Sequence, residues 1–420
     1  MYFSNKEKIL RFIYNVIINV TPFILKGAAF FNLKIKKGVV GRSQTFKKLK
    51  ASISETDKTI WFHCASLGEY EQGLPVFKEL RQLYHTHKIV LSFFSPSGYE
   101  IRKNTDIADV VVYLPLDTKK NAKRFIDLVN PELTVFVKYD IWPNVLNVLK
   151  RRKKRAILIS ALLRPNHIFF KPYGKYLRDA LFAFEHIFVQ NEKSKDLLKT
   201  INYKNVTVSG DTRFDRVFSQ LEQNNTLPFI EEFKQESLCV VAGSTWPEDE
   251  NILIEYINKY ASNTLKFIIA PHNINSAQIS KLKSQLQVPT VLFSEKKDQN
   301  LSQFQVLIVD TIGLLTKVYN YADIAYVGGA IGKTGLHNTL EPAVFGVPII
   351  IGNNYKNFPE AIEMIKNKGV YAINNKVEIE KTLNHLVTTP DERQQLGQLN
   401  YNYIKKSRGA VIQIINFLRT

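Results

Sequence analysis

The residues best suited to chemistry are Gly328-Gly329-Ala330-Ile331-Gly332-Lys333-Thr334-Gly335-Leu336-His337-Asn338-Thr339-Leu340-Glu341-Pro342. They follow the apolar run Ile324–Val327, which reads as a buried strand, and lead into a helix-like stretch over 340–345. Four glycines in eight residues let the backbone close on a ligand, and N–H groups opening a helix favour a phosphate. His337, Asn338 and Glu341 then stand on or beside the first helical turn, where a carboxylate can grip ribose hydroxyls. The pattern is that of a nucleotide-sugar site. The plainer alternative is a strand–helix loop whose glycines serve packing alone.

A second set lies in the first half. Trp61-Phe62-His63-Cys64-Ala65-Ser66-Leu67-Gly68-Glu69 reads as strand, tight turn and helix, with Gly68 permitting the turn and Glu69 projecting from the first helical turn. A carboxylate there can deprotonate an incoming hydroxyl. From this motif alone the commoner role comes first, a complement to the helix dipole of roughly 0.3–1 kcal/mol. Further polar groups follow other strand patterns: Ser95-Pro96-Ser97-Gly98, Lys138-Tyr139-Asp140, Gly243-Ser244-Thr245, Pro271-His272-Asn273 and Asp310-Thr311-Ile312-Gly313. Singly each reads as a helix cap. Jointly they are expected to line one cleft.

The elements that must position these groups alternate short apolar runs with helix-like stretches, the signature of parallel α/β sheets. Strands are expected at 59–64, 88–93, 110–113, 133–137, 156–160, 186–189 and 206–209, with helices such as 70–84 and 119–129 between them. A polar, weakly patterned stretch over 215–235 reads as a linker, and the alternation restarts at 238–242, 267–270, 290–293, 306–309, 324–327, 348–351 and 369–372. The tail, 391–418, looks helical. Two such halves imply ligands at the carboxyl ends of strands.

A chain of 420 residues with 45% hydrophobic content and two cysteines suits a folded protein of two domains without a disulfide framework. Cys64 and Cys239 sit in apolar runs and read as small buried residues. No Cys/His spacing suggests a metal, and no Walker-type loop is present. The net charge is +19, and the first 50 residues carry eleven Lys/Arg against the single acid Glu7, hence +10 of it. Interleaved with that charge is an Ile-, Val-, Leu- and Phe-rich stretch over 9–33. A signal peptide would need a small-residue cleavage site, which is lacking after Phe31. A spanning helix is interrupted by Asn15, Asn19, Pro22 and Lys26 and flanked by bases at both ends. The favoured reading is a helix pair in the membrane surface, with lysines near anionic head groups. The aliphatic partners argue for lipid and against nucleic acid.

Taken in order, the motifs resemble those of the 3-deoxy-D-manno-octulosonic acid (Kdo) transferases, glycosyltransferases of the GT-B fold that build the lipopolysaccharide inner core. The resemblance runs through His63 with Ser66-Leu67-Gly68-Glu69, Ser95-Pro96-Ser97-Gly98, Tyr113-Leu114-Pro115-Leu116-Asp117 and Trp142-Pro143-Asn144. It continues with Gly210-Asp211-Thr212-Arg213-Phe214-Asp215, Gly243-Ser244-Thr245, Asp310-Thr311-Ile312-Gly313, Ala322-Asp323, Val327-Gly328-Gly329, His337-Asn338-Thr339-Leu340-Glu341-Pro342 and Asn357-Phe358.

The resemblance implies two Rossmann-like domains facing a cleft: an anchoring helical segment at 1–37, an acceptor domain at 38–214, a linker at 215–236, and a donor domain at 237–420 with a terminal helix. It implies CMP-Kdo as donor substrate, the lipid A precursor as acceptor, no metal or other cofactor, and residence on the cytoplasmic face of the bacterial inner membrane. Transfer inverts the anomeric centre, with Glu69 as general base. The nucleotide residues fall on Ser244, Thr245, His272, Gly313, His337, Asn338 and Glu341. The chain departs from the common pattern at several places. Lys138-Tyr139-Asp140 replaces Glu-x-Glu, Pro271-His272-Asn273 replaces Pro-Arg-His, and Leu314 stands where an acid is usual. Gly335-Leu336-His337-Asn338 likewise replaces Gly-Gly-His-Asn. Two rival readings are another GT-B nucleotide-sugar enzyme, a UDP-sugar transferase or 2-epimerase, and a noncatalytic membrane-surface binding protein.

Overall fold

The computed structural model describes residues 5–419, with side chains from Lys8 onward. Residues 1–4 of the expected anchor, Thr420 of the expected donor domain, and the side chains of Asn5, Lys6 and Glu7 lie outside the described residues. The chain divides into two units, Met1–Arg216 with Arg408–Thr420, and Val217–Ser407.

The first unit holds seven parallel strands: β1 Thr59–Cys64, β2 Lys88–Phe93, β3 Val110–Tyr113, β4 Leu133–Val137, β5 Arg155–Ala161, β6 His186–Val189 and β7 Val206–Val208. Their order is β3-β2-β1-β4-β5-β6-β7, so the chain switches direction between β1 and β4. Register sets His63 of β1 opposite Ser92 of β2 and Phe136 of β4. Every residue of β1 is buried, as expected of a strand covered on both faces.

Helix α1 spans Asn5–Ala28 and helix α2 Leu33–Ser52, with Asn32 capping α2 by accepting the Ile35 N–H at 3.1 Å. The expected helix pair is present, but the boundary at 37 falls inside α2. That helix belongs to the folded unit. Arg42 donates to the carbonyls of Leu114 (3.1 Å) and Phe94 (2.5 Å), and Thr45 to that of Tyr113 (2.8 Å). α1 is fastened by its polar side: Tyr14 donates to Asp117 at 2.8 Å, and Asn144 to Asn15 at 3.0 Å.

In the second unit the strands are β8 Leu238–Thr245, β9 Leu265–Pro271, β10 Thr290–Leu292, β11 Val306–Ile308, β12 Ile324–Val327, β13 Ile349–Gly352 and β14 Val370–Ile373. All pair in parallel in the order β10-β11-β9-β8-β12-β13-β14, with the switch between β8 and β12.

Three expected boundaries shift. The stretch read as a linker, 215–236, contains the end of a helix Thr212–Phe218 and a helix Pro228–Lys234. Ile230 and Phe233 of the latter are buried in the second unit, and Lys266 Nζ donates to the Phe233 carbonyl at 2.7 Å. The helical tail is two helices, Pro390–Ser407 and Ala410–Arg419, parted at Gly409 with φ +112°. The last one is a helix of the first unit, not of the expected 237–420 domain. Its Ile414, Ile415 and Leu418 join Ile60, Phe62 and Phe77 in one apolar cluster, and Asp215 accepts the N–H groups of Gly409 (2.8 Å) and Ala410 (3.2 Å).

Candidate active site

Helix α3, Leu67–Leu83, starts directly after β1 and carries Glu69 in its first turn. Glu69 is buried, and its Oε2 accepts the backbone N–H groups of Ala65 and, at 3.2 Å, Ser66. The carboxylate therefore closes a capping box, the local role that the motif alone favours. Burial raises its pKa, and the Asp140 carboxylate raises it further, against the Ala65 hydrogen bond and the charges of His63 and Lys138. A carboxylate stripped of water in this way is a stronger base than one in solution. Gly68 is not needed for the turn. It lies inside α3, and a Cβ there would meet nothing within 4 Å.

Beside Glu69 a directed hydrogen-bond chain runs through the sheet. The Trp61 indole donates to Ser92 Oγ at 2.7 Å, and Ser92 Oγ lies 2.8 Å from His63 Nδ1. His63 Nε2 is 2.7 Å from Asp140 Oδ2, which also accepts the Trp142 indole N–H at 3.0 Å. The carboxylate can only accept, so His63 gives its Nε2 proton to Asp140, and when the ring is neutral its Nδ1 accepts from Ser92. Lys138, at the end of β4, takes φ +65° and hands its backbone N–H to the Ile159 carbonyl at 2.9 Å. Asp140 Oδ2 is thus held by two neighbouring donors, at the strand ends where this fold class puts chemistry.

In the second unit, β8 bulges at Ser244, with φ +54° and a register shift between Gly243 and Thr245. Thr245 Oγ1 donates to Glu250 at 2.9 Å. Asp249 is the buried keystone of the loop. It accepts from Trp246 N (2.9 Å), Gly329 N (2.8 Å) and Tyr326 Oη (2.7 Å), while desolvation raises its pKa. Gly328 is required by packing, because a Cβ there would sit 2.8 Å from Thr245 Cα and from Asp249 Oδ2. Gly329 has φ +95°. These two glycines therefore close on the protein itself, as the packing alternative states.

The helix expected over 340–345 is a single turn, Leu340–Ala343, and the Leu340 N–H is taken by Asn338 Oδ1 at 3.2 Å. Asn338 Nδ2 in turn donates to Glu341 at 3.0 Å. A bare helix N-terminus for phosphate is not what this loop offers. It offers side chains: His337 and His272 stack with ring centres 4.3 Å apart, and burial together with the His272 charge pushes the His337 pKa down to about 4. Of the expected donor residues, His272 joins His337 and Asn338 joins Glu341 by direct contact. Ser244 and Gly313, at φ +54° and +96°, contribute left-handed backbone.

Sequence reasoning passed over Trp246, Asp249 and Tyr14, and met Asn15 only as a break in the apolar run. Trp246 and Asp249 stand two and five residues beyond Ser244, so a wider window on that motif reaches them. No local signal marks Tyr14, which sits in that run.

Residues 40–216 match the sequence family described as 3-deoxy-D-manno-octulosonic-acid transferase (kdotransferase). A 3-deoxy-D-manno-octulosonic acid transferase of Haemophilus influenzae is 28% identical over 382 residues, covering 86% of each chain. One from Aquifex aeolicus is 27% identical, covering 86% of this chain and 95% of its own. Among solved structures, a UDP-GlcNAc 2-epimerase from Neisseria meningitidis, bound to UDP-GlcNAc, superposes with a TM-score of 0.60. It is 15% identical and covers 87% of this chain and 100% of its own, a likeness of fold. The matched segment and the relatives along most of the chain make this protein similar to the Kdo transferases, and its two seven-stranded parallel sheets give it the GT-B fold.

Proposed function

We propose that the enzyme transfers Kdo from CMP-Kdo to the lipid A precursor by a single inverting displacement. The observation that carries this reading is Glu69, a water-poor carboxylate at the carboxyl end of β1 whose pKa is raised by burial and by Asp140. Oε2 is engaged by the helix cap, which leaves Oε1 to meet the acceptor hydroxyl and take its proton. The Trp61–Ser92–His63–Asp140 chain holds Asp140 in place, so its charge keeps Glu69 basic. The second unit takes the nucleotide: Glu341, oriented by Asn338, accepts from ribose hydroxyls, and His337 faces the phosphate. Departure of CMP adds one negative charge to the single phosphate of the donor, which side-chain and backbone donors can stabilise without a divalent ion.

The acceptor's lipid nature agrees with α1. Ile9, Phe12, Ile13, Val16, Ile17, Val20, Phe23 and Ile24 form one exposed stripe, with Phe12 69% and Phe23 73% exposed. The opposite, polar side makes the bonds to Asp117 and Asn144. Such a helix is the reverse of a soluble surface helix, and it suits a bilayer interface better than a span, which would break those bonds. The segment Lys8–Ala28 is long and apolar enough to cross, so the polar contacts are the deciding feature. Full burial of each large apolar residue gives on the order of 1.5–3 kcal/mol, and each nearby lysine adds about 1 kcal/mol at an anionic surface. We place the enzyme on the cytoplasmic face of the inner membrane, where CMP-sugars are made.

The test is direct. Lipid A precursor in anionic vesicles is incubated with the enzyme and a CMP-Kdo source, with and without EDTA, and the product is weighed. A mass gain of whole Kdo units, undiminished by EDTA, is expected. No gain with CMP-Kdo but turnover of a UDP-sugar returns the protein to the other GT-B enzymes, and an EDTA-dependent gain overturns the metal-free mechanism.

A further inference from the structure

Trp246 and His337 lie side by side in nearly one plane. Their planes differ by 10°, their ring centres are 6.4 Å apart, and Trp246 Nε1 is 2.9 Å from His337 Nε2. His272 lies across both rings, 4.8 Å from the Trp246 centre at 20° and 4.3 Å from that of His337 at 27°. An indole N–H only donates, so the nitrogen that accepts it must present a lone pair. In a neutral imidazole the proton then sits on the other nitrogen.

We propose that Trp246 is a positioning residue that fixes His337 as its Nδ1–H tautomer, giving the nucleotide donor's anionic oxygen one directed N–H. The inference rests on the donor-site reading of the loop that contains His337. Two features support it. First, the ring is wedged: the His337 backbone N–H donates to the Gly328 carbonyl at 3.1 Å, and a Cβ on Gly329 would lie 3.0 Å from His337 Cδ2. The Cδ2–Nε2 edge thus faces Gly329 and Trp246, which turns the Nδ1 edge the other way. Second, with its pKa near 4 the ring stays neutral where a free imidazole would titrate, so tautomer and not charge decides what it offers.

The experiment pairs nitrogen NMR with CMP binding on the full chain. In the intact enzyme, long-range proton–nitrogen correlations should show His337 protonated at Nδ1 and not at Nε2. Trp246→Phe keeps a ring for His272 to stack on but removes the N–H. It should mix the tautomers and weaken CMP binding by roughly three- to tenfold, the scale of one hydrogen bond. In a His337→Asn background, where the amide N–H does not depend on a tautomer, the same Trp246→Phe change should leave affinity unaltered. A proton on Nε2 in the intact enzyme overturns the proposal. So does an equal loss from Trp246→Phe in both backgrounds, because that marks a merely structural tryptophan. An intact enzyme with the expected tautomer that does not bind CMP overturns the donor-site reading, and the ligand half of this proposal with it.

Discussion

The two units share a parallel seven-stranded sheet and place their polar groups alike, yet they tune them in opposite directions. At the switch between β1 and β4, burial and a neighbouring carboxylate raise the pKa of an acid, Glu69. At the switch between β8 and β12, burial and a neighbouring histidine lower that of a base, His337. Both shifts start from the same physical cause, the cost of keeping charge out of water. The first makes a better proton acceptor. The second makes an uncharged donor. A bulge with a left-handed serine recurs too, Ser160 in β5 at φ +52° and Ser244 in β8 at φ +54°, but the hydroxyls are used differently. Ser160 Oγ is 2.8 Å from Thr212 Oγ1 and is buried, whereas Ser244 is partly exposed beside the glycine loop. One scaffold thus raises the pKa of a buried acid in one unit and lowers that of a buried base in the other.

The sharpest way to break this division is at Glu69. Glu69→Gln keeps the acceptor oxygen for the helix cap but loses the basicity, so turnover should fall by a factor on the order of 10²–10⁴ while CMP affinity stays unchanged. A fall in CMP affinity of the same size, measured by calorimetry, would merge the two roles and end the comparison.

Glu341→Ala should do the converse. Removing a carboxylate that accepts from hydroxyls should weaken CMP by about 1.5–3 kcal/mol. Unaltered CMP affinity in that variant removes Glu341 from the donor site.

The glycines offer a smaller and purely structural contrast. Gly328→Ala drives a methyl against Ser244, Thr245 and Asp249, so the melting temperature should drop by the equivalent of about 1–3 kcal/mol. Gly68→Ala enters open space in a helix and should gain about 0.5–1 kcal/mol. Equal effects at the two positions would refute the steric account.

The mildest expected effect is on pH. The folded pKa of His337 lies below its unfolded value, so its contribution to stability is present above the ordinary histidine pKa of 6.5 and is lost as pH falls toward about 4. His337→Asn should therefore flatten the decline of thermal stability between those two values. An acid limb that keeps its slope in the variant assigns the decline to other groups.

Much of the fold was legible in the chain. Fully buried parallel strands must be short apolar runs, and turns at their ends must be polar, so all fourteen strands could be placed to within a few residues. The observed break falls between Arg216 and Val217, and residues 408–420 return to the first unit. The site was legible as a set of candidates: Glu69, His337, Asn338 and Glu341 announce themselves by residue type after a strand. Their roles were not legible. Whether Glu69 caps a helix or takes a proton depends on its burial and on Asp140, which lies 71 positions away in sequence.

What the sequence by itself determined is therefore periodic and local: two α/β halves, the strand-end motifs and a basic, apolar amino terminus. What only the tertiary structure decided depends on which distant residues become neighbours. The helix Ala410–Arg419 returns to the first unit because Ile414, Ile415 and Leu418 complete that unit's core, a fit that no pattern within the helix could disclose. Helix α1 presents its apolar face outward because Asp117 and Asn144 capture its Tyr14 and Asn15. His337 stays neutral because folding lays Trp246 and His272 against it. Apolar spacing is written along the chain, but the loss of water that shifts a pKa exists only once the strands have closed around the group.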